Sequence, residues 1–192
     1  RIIVLGGSGY LGSAIIRALI AAGYRNVTCG DIAQNSMLES EYVKIDLLDR
    51  TTLRSSLDEF EVVLNCVGQV TSPFSNCFEL NSQGMLNLAQ ALQETDTHVV
   101  QISSVSVYGS AKVCDETSSL NPATNYATAK AFAERALMHQ IKSENLITLR
   151  LSNLYGANQG KGVIAYLLRS YHGDRQLQFN NAGDIIRYYL HI

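Results

Sequence analysis

The sequence predicts an α/β chain built on a parallel sheet, because short apolar runs alternate with helical segments along its 192 residues. The first run, IIVL at 2–5, is continuous rather than alternating, which is typical of a strand covered on both faces. A glycine-rich turn and a helical pattern follow it, and Gly23 is a natural helix end. Hydrophobic residues make up 46% of the chain, enough for a sizeable core.

The other elements continue this alternation. Strands are expected at the β-branched and apolar runs 2–5, 27–29, 42–45, 61–67, 98–102 and 146–151. Helices are expected at the periodic or alanine-rich segments 11–22, from about Asp49 onward, 81–92, 126–141 and 163–171. The first helix is indicated by Leu11, Ile15, Leu19 and Ala22, which recur at helical spacing. From residue 173 onward only short strand signals occur, at 177–179 and 185–192.

Composition excludes several classes of protein. The net charge of -2 gives no basic footprint for nucleic acid, and no apolar run reaches the ~18 residues of a membrane helix. Neither nucleic acid nor a membrane is therefore expected as a partner. The four cysteines have no metal-binding spacing with the histidines, so no metal site is predicted; they are Cys29, Cys66, Cys77 and Cys114. Scattered free thiols favour a reducing, cytoplasmic compartment. No signal peptide is visible, and a chain that begins at Arg1 is expected to lack a few leading residues.

Three glycines mark a candidate phosphate-binding turn. Gly6, Gly9 and Gly12 lie between the first predicted strand and the first helix, where glycine permits a tight turn and close approach of a pyrophosphate. Their spacing differs by one residue from the common G-x-G-x-x-G fingerprint. Three glycines can also form a turn with no ligand, so the motif is weak until its context is considered.

An acidic residue supplies part of that context. Asp31 ends the second predicted strand, nineteen residues after Gly12. A carboxylate at this distance can accept hydrogen bonds from the adenosine ribose hydroxyls and would repel a 2′-phosphate. The alternative is a solvated carboxylate at the end of a strand.

A tyrosine and a lysine form the second group of candidate residues. Tyr126 and Lys130 are four residues apart and share one face of a predicted helix. An ammonium beside a phenol lowers the phenol pKa, so that the phenol can exchange a proton with an alcohol near neutral pH. This pair is common by chance in helices. Here it follows the segment QISSVSVYG at 101–109, which brings serine hydroxyls to the carboxyl end of a strand.

Taken together, these motifs resemble the extended short-chain dehydrogenase/reductase family, in its NAD-dependent epimerase/dehydratase branch typified by UDP-galactose 4-epimerase. The resemblance covers nearly the whole chain. The segments that carry it are GGSGYLG at 6–12, CGD at 29–31, DLLD at 46–49, SSVSVYG at 103–109, YATAK at 126–130 and LRLSNLYG at 149–156. It implies a Rossmann-type, doubly wound parallel sheet, NAD as cofactor and a homodimer. The dimer is expected to use helices 81–92 and 126–141, because the second carries Phe132, Ala136 and Met138 beyond one core-facing stripe.

The resemblance also implies a role for each matching residue. Gly6, Gly9 and Gly12 would bind the pyrophosphate, together with Tyr10 and Leu11 between the last two glycines. Asp31 would bind the adenosine ribose, and Asp46 and Leu47 would contact the adenine. Lys130 would bind the nicotinamide ribose. Tyr126 would be the acid/base, Ser104 the catalytic serine with Ser103 as the alternative, and Asn81 would support the site. Asn153 and Arg187 would join Ser104 and Tyr126 in binding the substrate.

Three features depart from the family pattern. Tyr188 stands where the family usually has aspartate, and Gly68 occupies a position in NCVGQV, at 65–70, where many members have HLAA-like residues. The chain also ends at Ile192, where members of this branch commonly continue. The expected organisation is therefore an NAD-binding domain over 1–156 and the start of a truncated substrate-binding lobe over 157–192.

The resemblance implies an enzyme that oxidises and reduces or epimerises a nucleotide-sugar by hydride transfer and tyrosine acid/base chemistry. Dehydratases of the family have an Asp-Glu pair after the catalytic residue, whereas Val105 and Ser106 stand here. Two alternatives stay open: a reductase or dehydrogenase of another hydroxy or keto substrate, and a non-catalytic NAD-binding sensor.

Overall fold

The computed structural model describes residues 1–68, 72–111, 113–172, 176–179 and 186–192. The described chain forms two compact units, Arg1–Arg150 and Leu151–Ile192. Their boundary lies six residues before the one expected from the sequence, and their functional assignment stays a prediction.

The first unit is organised around a six-stranded sheet. Its strands are β1 (Ile2–Leu5), β2 (Val27–Asp31), β3 (Glu41–Lys44), β4 (Val62–Asn65), β5 (His98–Ser104) and β6 (Leu146–Leu151). Their order is β3-β2-β1-β4-β5-β6, and the pairs β1–β2, β1–β4, β2–β3 and β4–β5 are parallel. This is the strand order of a Rossmann sheet, in which ligands bind at the carboxyl edge where the order reverses between β1 and β4.

The described residues of this unit form the helices α1 (Tyr10–Ala21), α2 (Arg50–Leu57), α3 (Phe74–Asn81), α4 (Gln83–Leu92) and α5 (Asn125–Met138). Asp49 caps α2 by accepting a hydrogen bond from the Thr51 amide, which accounts for the predicted start. The helix expected over 81–92 instead starts after Ser82, whose backbone (φ −107°, ψ −82°) separates it from α3. Helix α3 was not predicted from the sequence.

The periodic residues of the first helix correctly indicate α1, but they are not its most buried positions. Ile16, Gly12 and Ser13 are the buried residues of this helix, whereas Ala22 is exposed and Leu11, Ile15 and Leu19 are half-buried. Gly12 lies against the loop after β1, where a Cβ on it would lie 2.2 Å from the Gly6 carbonyl oxygen. The small size of Gly12 therefore allows the close contact between the helix start and this loop.

The core joins β1, β4 and β5 to α2, α4 and α5. It contains Phe60 as its largest side chain, together with the fully buried Leu53, Met85, Leu88 and Leu137. Burying such side chains contributes roughly 1.5–3 kcal/mol each, which fixes the helices that border the carboxyl edge of the sheet.

The second unit contains α6 (Val163–His172) and a two-stranded parallel pair of β7 (Asn153–Tyr155) and β8 (Tyr189–His191). Strand β7 was not predicted from the sequence. The segment 177–179, which was expected to be a strand, is irregular chain. Of the run expected over 185–192, only Tyr189–His191 is a strand, and residue 185 lies outside the described residues.

Over the described part of the chain, no helix is long and apolar enough to cross a membrane. The same residues contain no group of three or more histidine, cysteine or acidic side chains able to hold a metal ion. The four cysteines are free thiols, and Cys114 is exposed.

Candidate functional site

The loop after β1 leaves no room for side chains at its glycines. Gly6 has a φ of +71°, a conformation that favours glycine. A Cβ on Gly12 would lie 2.2 Å from the Gly6 carbonyl oxygen, and a Cβ on Gly9 would lie 3.1 Å from it. Gly9 is the N-cap of α1, and no side chain caps this helix start. The amide groups of the first turn can therefore bind an anion, aided by the helix dipole.

Gly7 is a residue of this loop that sequence reasoning missed. A Cβ there would lie 2.8 Å from Cys29 Sγ and 2.8 Å from the Val4 carbonyl oxygen. Glycine at this position lets the loop pack directly on β1 and β2. The signal in the sequence was the paired glycine at 6–7.

Tyr10 and Leu11 form the first turn of α1, and both are half-buried. The Tyr10 hydroxyl oxygen is buried and has no hydrogen-bond partner among the described residues. A buried hydroxyl without a partner is costly, so this oxygen marks a place where a ligand or water can bind.

Asp31 lies at the carboxyl end of β2, beside the glycine loop. Its Oδ2 accepts a hydrogen bond from the Ser8 amide at 3.0 Å, and its Oδ1 accepts one from the Ala33 amide at 3.3 Å. Ser8 in turn donates from its Oγ to the Ala33 carbonyl at 2.6 Å. Because a carboxylate has about four acceptor positions, Asp31 retains capacity for ribose hydroxyls.

The pair predicted to contact adenine follows β3. Asp46 is exposed, and its Oδ1 accepts a hydrogen bond from the Leu48 amide at 2.9 Å. The Leu47 side chain is only 3% exposed and belongs to the core, while its carbonyl accepts from Asn87 Nδ2 at 2.8 Å. The side chain of Leu47 is therefore part of the core.

Lys130 is fully buried and joins two strand ends. Its Nζ donates to the carbonyl of Val67, just beyond β4, at 3.4 Å and to that of Ile102, in β5, at 3.2 Å. Burial lowers the pKa of Lys130 to about 8. The glycine loop approaches the same Val67 backbone, because a Cβ on Gly6 would lie 3.2 Å from the Val67 nitrogen.

Tyr126 is half-buried in the first turn of α5, four residues before Lys130. Helix α5 packs against the 3₁₀ turn Val105–Tyr108 that follows β5. Ser104 caps this turn, and its Oγ accepts hydrogen bonds from the Ser106 amide at 3.2 Å and the Ser106 hydroxyl at 2.9 Å. Because Ser104 Oγ accepts both bonds, its own O–H is left to donate to a ligand.

The neighbouring Ser103 has a different environment. It is 1% exposed, and its hydroxyl donates to the carboxylate of Glu134. Ser103 is thus held inside the protein by a charged partner, whereas Ser104 is half-buried at the strand end. The geometry favours Ser104 over Ser103 as the serine available to a substrate.

Asn81 ends α3 and supports the chain after β4. Its Nδ2 donates to the carbonyls of Gly68 at 3.0 Å and Cys77 at 2.8 Å. A Cβ on Gly68 would lie 2.6 Å from Asn81 Oδ1, and Gly68 has a φ of +92°, so glycine is required there. The contact with Asn81 explains why Gly68 departs from the family pattern.

A buried ion pair beneath the site was missed by sequence reasoning. Arg150 donates to Glu134 through Nε at 3.1 Å and Nη2 at 2.7 Å, and through Nη1 to the Tyr108 hydroxyl at 2.6 Å. Glu134 and Tyr108, through their hydrogen bonds, raise the pKa of Arg150 further above its ordinary value. The only sequence signal was the position of Glu134 one turn after Lys130. The pair ties α5 to β6 and to the turn after Ser104.

Glu134→Gln is expected to destabilise the chain. The change keeps the shape but removes the negative charge that Arg150 faces, at a cost of about 2–4 kcal/mol. This is below the full cost for buried pairs, because the Arg150 side chain is 20% exposed. Urea unfolding measures the effect. Asp96→Asn, which breaks the exposed Lys142–Asp96 pair, is the control and should leave the unfolding free energy nearly unchanged. Equal midpoints for both variants would contradict the assignment.

Asn153 and Arg187 lie in the second unit. Asn153 is the first residue of β7, and its Nδ2 donates to the Tyr188 carbonyl at 3.1 Å. Arg187 is exposed and precedes Tyr188 in the chain. The parallel pairing of β7 with β8 therefore brings these two predicted substrate residues into one neighbourhood of the second unit.

The remaining predicted residues share the carboxyl edge of the first unit's sheet. The glycine loop follows β1, Asp31 ends β2, Asp46 follows β3 and Ser104 ends β5. Lys130 reaches the same edge from α5 through its bonds to two strand ends. The glycine loop, the Lys130 ammonium and the Ser104 hydroxyl thus belong to one edge.

Known proteins resemble this chain in sequence and in fold. The chain is 29% identical over 184 residues to UDP-glucose 4-epimerase 4 of Oryza sativa subsp. japonica, which matches 82% of this chain and 50% of that protein. It is 28% identical over 159 residues to D-erythronate dehydrogenase of Cupriavidus necator, which matches 71% of this chain and 49% of that protein. The chain spans about half the length of these curated relatives.

The solved structure of MoeE5 in complex with UDP-glucose and NAD superimposes with a TM-score of 0.86 at 25% identity, covering 100% of this chain and 67% of that one. The sequence profile of the NAD dependent epimerase/dehydratase family matches residues 2–192. The extended short-chain dehydrogenase fold expected from the motifs is confirmed, and this chain belongs to the NAD dependent epimerase/dehydratase family, a family of NAD-dependent enzymes.

Proposed function

We propose that this chain carries the NAD-binding and catalytic half of an enzyme that epimerises or otherwise oxidises and reduces a nucleotide-sugar. The observation that carries the proposal is the position of Lys130. Its buried ammonium bonds to the Val67 carbonyl, which adjoins the glycine loop, and to Ile102, two residues before Ser104. The two carbonyls that hold this lysine thus belong to the segment that the glycine loop approaches and to the strand that ends at Ser104.

The residues at the edge fit NAD. The crowded glycine loop admits a pyrophosphate only if it stays free of side chains, and the uncapped start of α1 offers amide groups to its oxygens. Asp31 would accept the adenosine ribose hydroxyls, Asp46 and the backbone of Leu47 would lie along the adenine, and Lys130 would hold the nicotinamide ribose. Tyr10, whose hydroxyl lacks a described partner, would find one there. When bound, NAD supplies a hydride acceptor and donor at its nicotinamide ring.

The chain's own residues would then move one proton and hold one oxygen. Tyr126, as a phenolate stabilised by the Lys130 ammonium, would take the proton of the substrate hydroxyl and later return it. Ser104 would donate its O–H to the same substrate oxygen and hold it in place. Asn81, through Gly68, would keep the floor of the site in shape.

The substrate class is proposed from two features. Relatives of this chain include a UDP-glucose 4-epimerase, and MoeE5 was solved with UDP-glucose and NAD. Asn153 and the exposed Arg187 would contact the nucleotide-sugar, Arg187 by pairing with a phosphate. Val105 and Ser106, which follow Ser104, carry no carboxylic acid, and this argues against dehydration.

The test is a turnover assay on the full-length protein that contains this chain. With NAD and UDP-glucose, NMR should detect the C4 epimer with no net accumulation of NADH. A dehydrogenase of hydroxy acids, the class that the similarity to D-erythronate dehydrogenase favours, would instead accumulate NADH with a substrate such as D-erythronate. NAD binding without turnover of any nucleotide-sugar or hydroxy acid would indicate a sensor and contradict the proposal.

NAD is expected to bind at least about tenfold more tightly than NADP, because a 2′-phosphate beside Asp31 would meet a like charge, at a cost on the order of 1–4 kcal/mol. None of the neighbours at Gly30, Ile32 and Ala33 is a cation that could offset it. Calorimetric titration with both cofactors measures the ratio. Asp31→Asn keeps an acceptor for the Ser8 amide but removes the negative charge. This variant should therefore have a smaller ratio of NAD affinity to NADP affinity than the unaltered protein. Tighter binding of NADP by the unaltered protein would refute the assignment.

The protein is expected to be a homodimer through α4 and α5. Phe132 is 43% exposed and Met138 is 56% exposed, and both lie on α5. The prediction that Ala136 also lies on this surface is wrong, because Ala136 is 7% exposed and belongs to the core. Light scattering at micromolar concentration should give a dimer, and Phe132→Glu combined with Met138→Glu should give a monomer. A monomeric unaltered protein would count against this surface.

A further inference from the structure

Two buried amide side chains lie next to each other beneath the site, and no role has been given to them above. Asn65 ends β4, and Gln101 lies opposite it in β5. Both are fully buried. Polar groups at adjacent buried positions of a sheet are costly unless every one of them is bonded, so their partners indicate their purpose.

The two amides form a chain of hydrogen bonds between two backbone segments. Asn65 Oδ1 accepts from the Val67 amide at 3.1 Å, and Asn65 Nδ2 donates to Gln101 Oε1 at 2.7 Å. Gln101 Nε2 then donates to the Ile102 carbonyl at 2.8 Å. The direction is fixed at both ends, because a backbone N–H can only donate and a carbonyl can only accept. Neither amide can be turned over without breaking the chain.

These two backbone segments are the ones that hold Lys130. Its Nζ donates to the carbonyl of Val67 and to that of Ile102. The Ile102 oxygen thus accepts from both Gln101 and Lys130. Asn65 binds the N–H of Val67, the residue whose carbonyl is the second acceptor of Lys130. One acceptor of the buried ammonium is therefore bonded directly by the amide pair, and the other belongs to a residue whose backbone the pair holds.

We propose that Asn65 and Gln101 are positioning residues, which hold the Val67 and Ile102 carbonyls against the Lys130 ammonium and so fix its location and charge. The importance of this for catalysis rests on the proposed function, in which Lys130 tunes Tyr126 and binds the cofactor. The pairing itself does not, since it is a property of the chain without ligands.

The electrostatic surroundings make such fixed acceptors important. Burial lowers the pKa of Lys130 to about 8, and the titratable groups that act on it include Cys66 beyond β4, Cys77 on α3 and Glu134 on its own helix. Burial raises the pKa of the Cys66 thiol to about 12 and also raises that of Cys77, so both stay neutral near neutral pH. Two aligned carbonyl dipoles therefore support the charged form of Lys130 together with Glu134.

The first experiment needs no substitution in the amide pair. The chain has five lysines, and ¹³Cε-labelled lysine with a Lys130→Arg reference assigns the Lys130 signal by NMR. The side-chain NH₂ signals of Gln101 and Asn65 should shift with the same midpoint as Lys130, since Gln101 and Lys130 share one acceptor oxygen. The side-chain amide of Asn87, which bonds to Leu47, is the internal control and should not follow that titration. Amide signals of Gln101 that ignore the Lys130 titration would overturn the proposal.

The second experiment uses near-isosteric variants, Gln101→Met and Asn65→Leu. Either should lower the pKa of Lys130 by about one unit, because the charged form loses its aligned acceptors. The double variant should shift it no further than one single variant, as expected for residues that act as one unit. Thr97→Val removes a hydroxyl bond to the Phe60 carbonyl at the opposite end of the sheet; it should lower the melting temperature without moving the titration.

The outcomes separate this inference from the proposed function. An unchanged Lys130 titration in amide variants with lowered melting temperature would reduce the pair to a structural contact and overturn the inference. A shifted Lys130 titration in the amide variants of a protein that turns over no nucleotide-sugar would support the inference and contradict only the proposed function.

Discussion

Tyr126→Phe should reduce turnover by about 10²–10⁴, the usual contribution of a positioned acid/base, while NAD affinity stays nearly unchanged. Phenylalanine keeps the ring and its packing in the first turn of α5 but removes the group that exchanges a proton. Steady-state turnover of a nucleotide-sugar by the full-length protein and calorimetric titration with NAD measure the two quantities.

Tyr108→Phe is the matched control for Tyr126→Phe. Tyr108 is 6% exposed, and its hydroxyl is engaged by Arg150 at 2.6 Å, so its loss should lower stability more than turnover. Wild-type turnover in Tyr126→Phe would show that the tyrosine mechanism is wrong, whatever the fold.

Lys130→Ala should lower both turnover and NAD affinity. Turnover should fall by about 10²–10⁴, because the phenol of Tyr126 loses the ammonium that lowers its pKa. NAD affinity should fall by about 10- to 100-fold, the loss expected for one charge-assisted hydrogen bond to the nicotinamide ribose. The contrast with Tyr126→Phe, in which only turnover falls, identifies the double role.

Two further variants control for the cavity that Lys130→Ala leaves in a fully buried position. Lys130→Met keeps most of the side-chain volume and should show the same two losses with a smaller fall in melting temperature. Lys142→Ala removes an exposed lysine that pairs with Asp96 and should change neither quantity. An intact NAD affinity in folded Lys130→Met would refute the proposed contact with the ribose.

The order of elements in the first unit could be predicted because local patterns determine it. The run at 2–5 is apolar on both faces, and the alternation with helices leaves a parallel sheet as the arrangement that buries it. The ends of strands were less predictable. The run at 61–67 stops as a strand at Asn65, because Asn65 turns its side-chain oxygen to the amide of Val67. That contact is invisible in a hydrophobicity pattern.

The helices show the same division. Asp49 predicts the start of α2 correctly, because an N-cap side chain binds amides within three residues of itself. Helix α3 and its separation from α4 at Ser82 depend on Asn81, which bonds back to Gly68 across thirteen positions. Likewise, the buried face of α1 depends on Gly12 meeting the Gly6 carbonyl rather than on the spacing of leucines.

The sequence by itself determined which residues share the carboxyl edge of the sheet. The glycine spacing, the acids at strand ends and the Tyr–Lys pair on one helix face are local features that can be read from the sequence. Parallel strands then bring their carboxyl ends to one edge. Only the tertiary structure decided what surrounds them. It separated Ser104 from Ser103 by giving the latter to Glu134, paired Glu134 with Arg150, and placed two amides behind the carbonyls that hold Lys130. The contacts Arg150–Glu134, Ser103–Glu134 and Asn65–Gln101 join residues 16 to 36 positions apart in the chain. Burial makes each of them obligatory, since a buried polar group needs a partner wherever the fold brings one.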